Sequence, residues 1–142
     1  MERSLVLLKP DAIKRGLNGA ILDRLERLGL KLIGLKLLWM DEELAKKHYA
    51  PHAHKAFFPG LVAYIASGPI VAAVFEGEKA VEKVRNVMGA TDPAKADSGT
   101  IRGDYGMDIE RNTIHGSDST ATAEMELRLF FSEGELYSYP ML

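Results

Sequence analysis

The run Ile70-Val71-Ala72-Ala73-Val74-Phe75 holds no side chain that belongs in water, and turn formers bound it, Ser67-Gly68-Pro69 before and Gly77 after. Small and branched apolar residues ending in an aromatic, enclosed this way, read as a buried strand. A buried strand cannot stand alone, so the chain must supply other strands beside it and helices to cover it. Ser4 to Leu8 is a second β-type run. It stops at Lys9-Pro10-Asp11, because Pro lacks the N–H a ladder needs, and Lys9 is expected at the strand's end. Leu30 to Trp39 passes from alternation into an apolar run and reads as another strand, and a short one is expected around Thr113-Ile114.

Helical spacing fills the intervals. After Asn18-Gly19, the residues Ala20, Ile21, Leu22, Leu25 and Leu28 oppose Asp23, Arg24, Glu26 and Arg27 until Gly29 closes the segment. Asp41 ahead of Glu42-Glu43-Leu44 predicts an N-cap, with an acidic first turn at the positive end of the helix, and the helix must stop by Pro51. Shorter periodic pieces follow at Leu61 to Ile65, Lys79 to Met88 and Ala121 to Phe131. Gly89 to Arg111 has no clear period, and a connection of that length in a small domain is usually functional. The order β-α-β-helices-β-α-loop-β-α predicts an α+β fold of the ferredoxin-like sandwich kind, with helices on one face of a four-stranded, mostly antiparallel sheet. A doubly wound parallel sheet fits less well, since the irregular segment supplies no clean crossover.

The 142 residues predict one domain over 1–142. With 18 Lys and Arg against 20 Asp and Glu, the formal net charge is -2, so no basic field draws the chain to nucleic acid or to a membrane. Any anion must be gripped locally. The first apolar stretch, Leu5 to Leu8, is far short of the ~7–15 residues of a leader's apolar region or the ~20 of a membrane span. Zero cysteines remove thiolate nucleophiles, disulfides and thiolate metal sites, which fits a cytoplasmic place.

Among the remaining chemistry, His115 stands where a strand, a turn and a helix start meet, in Asn112-Thr113-Ile114-His115-Gly116-Ser117-Asp118-Ser119. Gly116 is expected to let a ligand approach the backbone, and Asp118 or Ser119 to cap the last helix, whose N–H groups suit an anion. Neither a P-loop nor a dinucleotide fingerprint is present, so side chains must replace a backbone phosphate cradle. Arg102 lies between Gly99 and Gly103, and Arg85 and Thr91 bracket Gly89-Ala90; each Arg alone reads as a solvated charge, and only convergence would make a site. His48, His52 and His54 have metal-ligand character, but Pro51 breaks the helix that would align them, and polar residues around a helix end are the better reading.

The blocks Lys9-Pro10-Asp11, His48-Tyr49, Phe57-Phe58-Pro59-Gly60-Leu61-Val62, Ser67-Gly68-Pro69, Gly89-Ala90-Thr91-Asp92-Pro93 and Gly99-Thr100-Ile101-Arg102-Gly103 precede the His115 segment in that order. Taken together, the chain resembles the nucleoside diphosphate kinase family from end to end, and the eight-residue histidine segment is the most specific part of the likeness. The resemblance implies a ping-pong transfer of the γ-phosphoryl of a nucleoside triphosphate through His115 to a nucleoside diphosphate. It implies Nδ1 of His115 as the attacking atom, Glu126 beside the ring and Ser117 holding Glu126. Arg85 and Thr91 would meet the β-phosphate, Arg102 and Tyr49 the transferring phosphoryl, and Lys9 and Asn112 the sugar hydroxyl and nearby phosphate. Phe57 and Ile109 would clamp the base by its faces, giving broad base tolerance. Mg²⁺ would be held by substrate phosphates and water, with no side-chain ligand expected. A homo-oligomer, tetramer or hexamer, is also implied. Ala56 departs from the family's usual Pro, and Tyr137-Ser138-Tyr139-Pro140 matches no family tail. A nucleotide- or RNA-sensing module would need basic excess or a stacking aromatic stretch, and an inactive interaction partner would lack an active-site block; the sequence meets neither condition.

Overall fold

The computed structural model describes residues 1–142. Its strands are β1 (Glu2–Leu8), β2 (Lys31–Leu38), β3 (Ile70–Gly77) and β4 (Ile114–Gly116). Its helices are α1 (Pro10–Lys14), α2 (Asn18–Glu26), α3 (Glu42–His48), α4 (Phe58–Ile65), α5 (Ala80–Met88), α6 (Ile101–Tyr105) and α7 (Thr120–Phe130). The strands form one sheet in the order β2-β3-β1-β4, and every neighbouring pair is antiparallel.

Helices cover the sheet on both faces, where the sequence pattern predicts one. Leu5, Leu7, Ala72 and Val74 pack with Ala45, Val62, Ile65, Leu127 and Phe130 of α3, α4 and α7. Val6, Leu8, Ala73 and Phe75 pack with Ala12, Ile21, Leu25, Val84 and Ile101 of α1, α2, α5 and α6. The reason lies in the central strands themselves: Leu5 to Leu8 and Ile70 to Phe75 do not alternate with polar residues, so each sheet face presents apolar side chains that need a cover.

Three helices begin where the sequence reads as breaks or irregular chain. Pro10 opens α1 instead of ending the chain's regular structure, since its missing N–H falls where a first-turn donor would be unpaired anyway. In the same way Pro59 sits in the first turn of α4, which begins at Phe58. Helix α6 occupies five residues of the segment from Gly89 to Arg111, with Thr100 as its N-cap. Asp41 caps α3 as expected, its Oδ1 accepting from Leu44 N–H at 2.8 Å.

Strand β2 forms one edge of the sheet and bulges between Leu32 and Gly34. There the chain after Ser132 docks: Tyr137 N–H donates to the Ile33 carbonyl at 2.9 Å, and Leu136 lies 2.8 Å from where a Cβ on Gly34 would stand. Strand β4 is the opposite edge and pairs His115 with Leu7.

Candidate active site

His115 is the central residue of the short edge strand β4, so its backbone is fixed by β1 while its ring remains partly open to solvent. Its Nε2 lies 2.9 Å from Glu126 Oε2, on the inner face of α7. A carboxylate only accepts, so Nε2 carries the proton and the lone pair of the neutral ring sits on Nδ1. Both elements pack on β1, which therefore sets their separation.

Ser117 departs from the expected arrangement. Its hydroxyl accepts from Leu5 N–H at 3.1 Å and is bonded back to the Leu5 carbonyl, so it extends the β1–β4 pairing past the last strand residue. It does not hold Glu126, whose Oε1 is buried without a partner. Gly116 also serves packing and not ligand approach: a Cβ there would lie 2.4 Å from Met88 Sδ of α5. Ser119 caps α7, its Oγ accepting from Thr122 N–H at 3.1 Å, which leaves Asp118 free to bind Arg85 at 2.7 Å.

Cationic groups gather beside β4 without carboxylate partners. Arg102 is buried, with one terminal nitrogen donating to the Ile114 carbonyl at 2.7 Å, the other to the Gly89 carbonyl at 3.1 Å, and Nε unpartnered. Burial, and secondarily the charge of Arg85, pulls its pKa down to about 10. Lys9 lies between β1 and α1, buried, its ammonium reaching only the Glu110 carbonyl at 3.4 Å. Burial first, then Arg102, pulls Lys9 down to about 8. Two desolvated cations that lean on carbonyls alone are an arrangement that an incoming anion would relieve.

The remaining expected residues take three positions. Tyr49 is buried at the end of α3, and burial raises its phenol above the usual range. Asn112 is buried, its Nδ2 donating to the Thr91 carbonyl at 2.9 Å and its Oδ1 unpartnered, so it ties the Thr91 turn to the approach to β4. Phe57 and Ile109 stand at the surface, 54% and 62% exposed, on segments outside the sheet.

Three further residues join the site that the sequence did not place beside His115. His48 is buried on α3, its ring centroid 4.7 Å from that of His115 at a steep angle and its Nδ1 3.6 Å from Glu126 Oε2. Burial, then His115 and Lys9, keeps its pKa well below the ordinary histidine range. His52 and His54 do not join it; the cluster is His48, His115 and Glu126. Thr113 has a φ of 72°, a left-handed conformation that costs a β-branched residue about 1–3 kcal/mol. It sits between Asn112 and Ile114, where that turn aims the chain into β4. Glu110 contributes the carbonyl that meets Lys9.

The family model for nucleoside diphosphate kinase matches residues 2–136. A nucleoside diphosphate kinase of Dehalococcoides mccartyi is 66% identical over 139 residues, covering 98% of each chain. The chain belongs to the nucleoside diphosphate kinase family. A second member, from Archaeoglobus fulgidus, is 52% identical over 98% of this chain and 92% of its own length. Among solved structures, a halophilic nucleoside diphosphate kinase from Halobacterium salinarum in complex with CDP superposes with a TM-score of 0.96 at 51% identity, over 99% of this chain and 93% of that one. The Aquifex aeolicus nucleoside diphosphate kinase gives 0.93 at 40% identity, over 96% and 99%. The α+β fold and the kinase assignment thus rest on sequence and structure together, and the chain is a phosphotransferase acting on nucleotides. No helix is long and apolar enough to cross a membrane.

Proposed function

We propose that this kinase works by a ping-pong mechanism through His115, and the observation that carries the reading is the bond from His115 Nε2 to Glu126. That bond assigns the free lone pair to Nδ1, which attacks the γ-phosphorus of a nucleoside triphosphate. The N–P bond forms as the bond from phosphorus to the β–γ bridging oxygen breaks, and its electron pair departs with the diphosphate. Glu126 stabilises the positive ring that results. A second nucleoside diphosphate then removes the phosphoryl by the reverse displacement.

Arg102 and Tyr49 are the groups we assign to the moving phosphoryl, Arg85 and Thr91 to the β-phosphate, and Lys9 and Asn112 to the sugar hydroxyl and the adjoining phosphate. The partnerless charges of Arg102 and Lys9 support this reading. Binding the β-phosphate would require Arg85 to release Asp118, an exchange of one anion for another. Phe57 and Ile109 hold the base by its faces, which every base offers. The reading keeps Ser117 as a fastener of β4 and not as a partner of Glu126.

Nucleotide kinases generally need a divalent metal. The groups assigned to the phosphates here are cations, phenol, hydroxyl and amide, with no free carboxylate pair to cage an ion, which fits Mg²⁺ carried in on the nucleotide by phosphate oxygens and water. Such a Mg²⁺ shields phosphate charge; orientation comes from the side chains.

A homo-oligomer is part of the same reading. Leu35 and Leu37 on edge strand β2, with Trp39 just past its end, form an exposed apolar row, the kind of edge that a second copy covers. The absence of cysteine and the nucleotide substrates agree with a cytoplasmic place. The deciding experiment is incubation with γ-labelled ATP and no acceptor. Label should stay on the protein in an acid-labile, base-stable bond, and His115→Ala should remove it. Label retained by that variant would move the nucleophile elsewhere.

A further inference from the structure

Beside the nucleophile stands a histidine that the transfer reaction does not use. His48 is 5% exposed, and neither ring nitrogen has a hydrogen-bond partner. A buried imidazole with both nitrogens idle is costly unless something else engages it. The ring faces His115 and Glu126, and one ligand atom from each of the three residues falls within 4.8 Å of the other two. Two of the spacings are 2.9 Å, from His115 Nε2 to Glu126 Oε2, and 3.6 Å, from His48 Nδ1 to the same oxygen. Ligands at ~2.0–2.2 Å from a tetrahedral Zn²⁺ stand about 3.3 Å apart, between those two values. Three protein ligands leave the fourth position of a tetrahedral ion for water, the pattern of an exchangeable site, and the 22% exposure of the His115 side chain keeps the cluster in touch with solvent.

We propose that His48, His115 and Glu126 form a site for a first-row transition-metal ion, Zn²⁺ in particular, whose occupation blocks phosphorylation of His115. The donor set of two imidazoles and one carboxylate suits Zn²⁺ and discriminates against Mg²⁺, which prefers oxygen ligands and gives up its waters reluctantly. The kinase's own metal therefore does not fill this position.

The blockade follows from proton counting. A neutral imidazole has one N–H and one lone pair. In the active ring, Nε2 holds the proton against Glu126 and Nδ1 holds the lone pair. When the metal binds, it sheds a water ligand and takes the electron pair of Nε2; the proton of Nε2 passes through water to Nδ1, and Glu126 Oε2 exchanges its hydrogen bond for the metal. No electrons change owner between oxidation states. Nδ1 now carries hydrogen and has no pair to offer phosphorus. The blockade rests on Nδ1 being the nucleophile, whereas binding of the metal does not.

Metal-free protein titrated with Co²⁺ in the absence of nucleotide should develop the strong visible absorption of low-coordinate cobalt. Zn²⁺ should abolish it and a thousandfold excess of Mg²⁺ should not. His48→Gln and, separately, Glu126→Gln should each weaken Co²⁺ binding at least tenfold, and circular dichroism and melting report whether either variant has kept its fold. In the second arm, label transfer from Mg²⁺-ATP is measured against rising Zn²⁺. The unmodified protein should lose labelling as the site fills, and His48→Gln should require at least ten times more Zn²⁺ for half-inhibition relative to its own metal-free rate. Absence of the cobalt absorption, or equal Zn²⁺ sensitivity in His48→Gln, overturns the proposal. Failure of the ping-pong reading looks different: the metal-free protein would then take up no label at all, whatever its cobalt spectrum.

Discussion

Lys9 allows nucleotide binding to be read as a proton balance. Burial and the neighbouring Arg102 charge hold its pKa at about 8 against an ordinary 10.5. A bound phosphate supplies the counter-charge that the free protein lacks, so binding should carry Lys9 back toward its ordinary value. Below pH 8 the lysine is already charged and affinity is flat; above it, each bound nucleotide must first take up a proton. If the bound pKa returns to about 10.5, affinity for ADP falls roughly 20-fold between pH 7.5 and 9.5, a range in which the phosphates of ADP no longer titrate. Calorimetry at pH 8 in buffers of different ionisation enthalpy should detect uptake of about half a proton per ADP. Stability moves the other way. A lysine whose folded pKa is depressed penalises the fold wherever it is charged, and the penalty lifts as pH rises from 8 toward 10.5. Lys9→Met keeps the side-chain volume, so it should raise the melting temperature at pH 7 while flattening the pH dependence of ADP binding. An unmodified protein that binds ADP equally well at pH 7.5 and 9.5, with a heat independent of buffer, would refute both the shifted pKa and the contact with phosphate.

Arg102→Ala should lower kcat by roughly 30- to 1,000-fold, the ~2–4 kcal/mol lost with a charged donor at the transferring group, while Arg85→Ala should chiefly raise KM; steady-state profiles that cannot be told apart would refute the division. Glu126→Gln can turn its NH₂ toward His115 and force the proton onto Nδ1, so single-turnover labelling should slow on the order of 10²- to 10⁴-fold, and a rate within threefold of the unmodified protein would break the tautomer argument. ADP, GDP, CDP and UDP should accept phosphoryl from the labelled enzyme with efficiencies spread over about one to two decades, purines leading, and Phe57→Ala should weaken all four and narrow the spread; several decades in the unmodified protein would point to readout of the base edge.

The sequence carried the central strands well because Leu5 to Leu8 and Ile70 to Phe75 have no polar alternation, the same property that calls for helices on both faces. Pro10 and Pro59 read ambiguously, since the feature that ends a strand also starts a helix. Helix α6 spans five residues, less than two turns, and so leaves no apolar period in the segment that contains it. At the site, His115 was legible as a candidate from the residues around it, whereas Arg102 read alone as a solvated charge and its assignment, like that of Glu126, depended on family likeness. His48 was legible as a neighbour of His52 and His54 and as part of a family block, but not as a neighbour of His115. Its spatial partners are 67 and 78 positions away, and antiparallel pairing on β1 together with the packing of α3 against α7 brings them together. The link from Ser117 to Glu126 came from the resemblance, and a backbone bond at Leu5 satisfies that hydroxyl instead.

His115, Arg102, Lys9 and Glu126 stand on or beside the sheet, three of them buried, while Phe57 and Ile109 stand on outlying surface segments. The groups we assign to the phosphates, which all nucleotides share, are thus built from the interior, where a substitution disturbs the fold. The groups we assign to the base, which distinguishes one nucleotide from another, are built from the periphery, where substitutions usually shift stability by no more than about 0.5 kcal/mol. On that assignment, preference among bases is free to drift from lineage to lineage at almost no structural risk, while the phosphoryl chemistry can change only by remaking the interior that supports it.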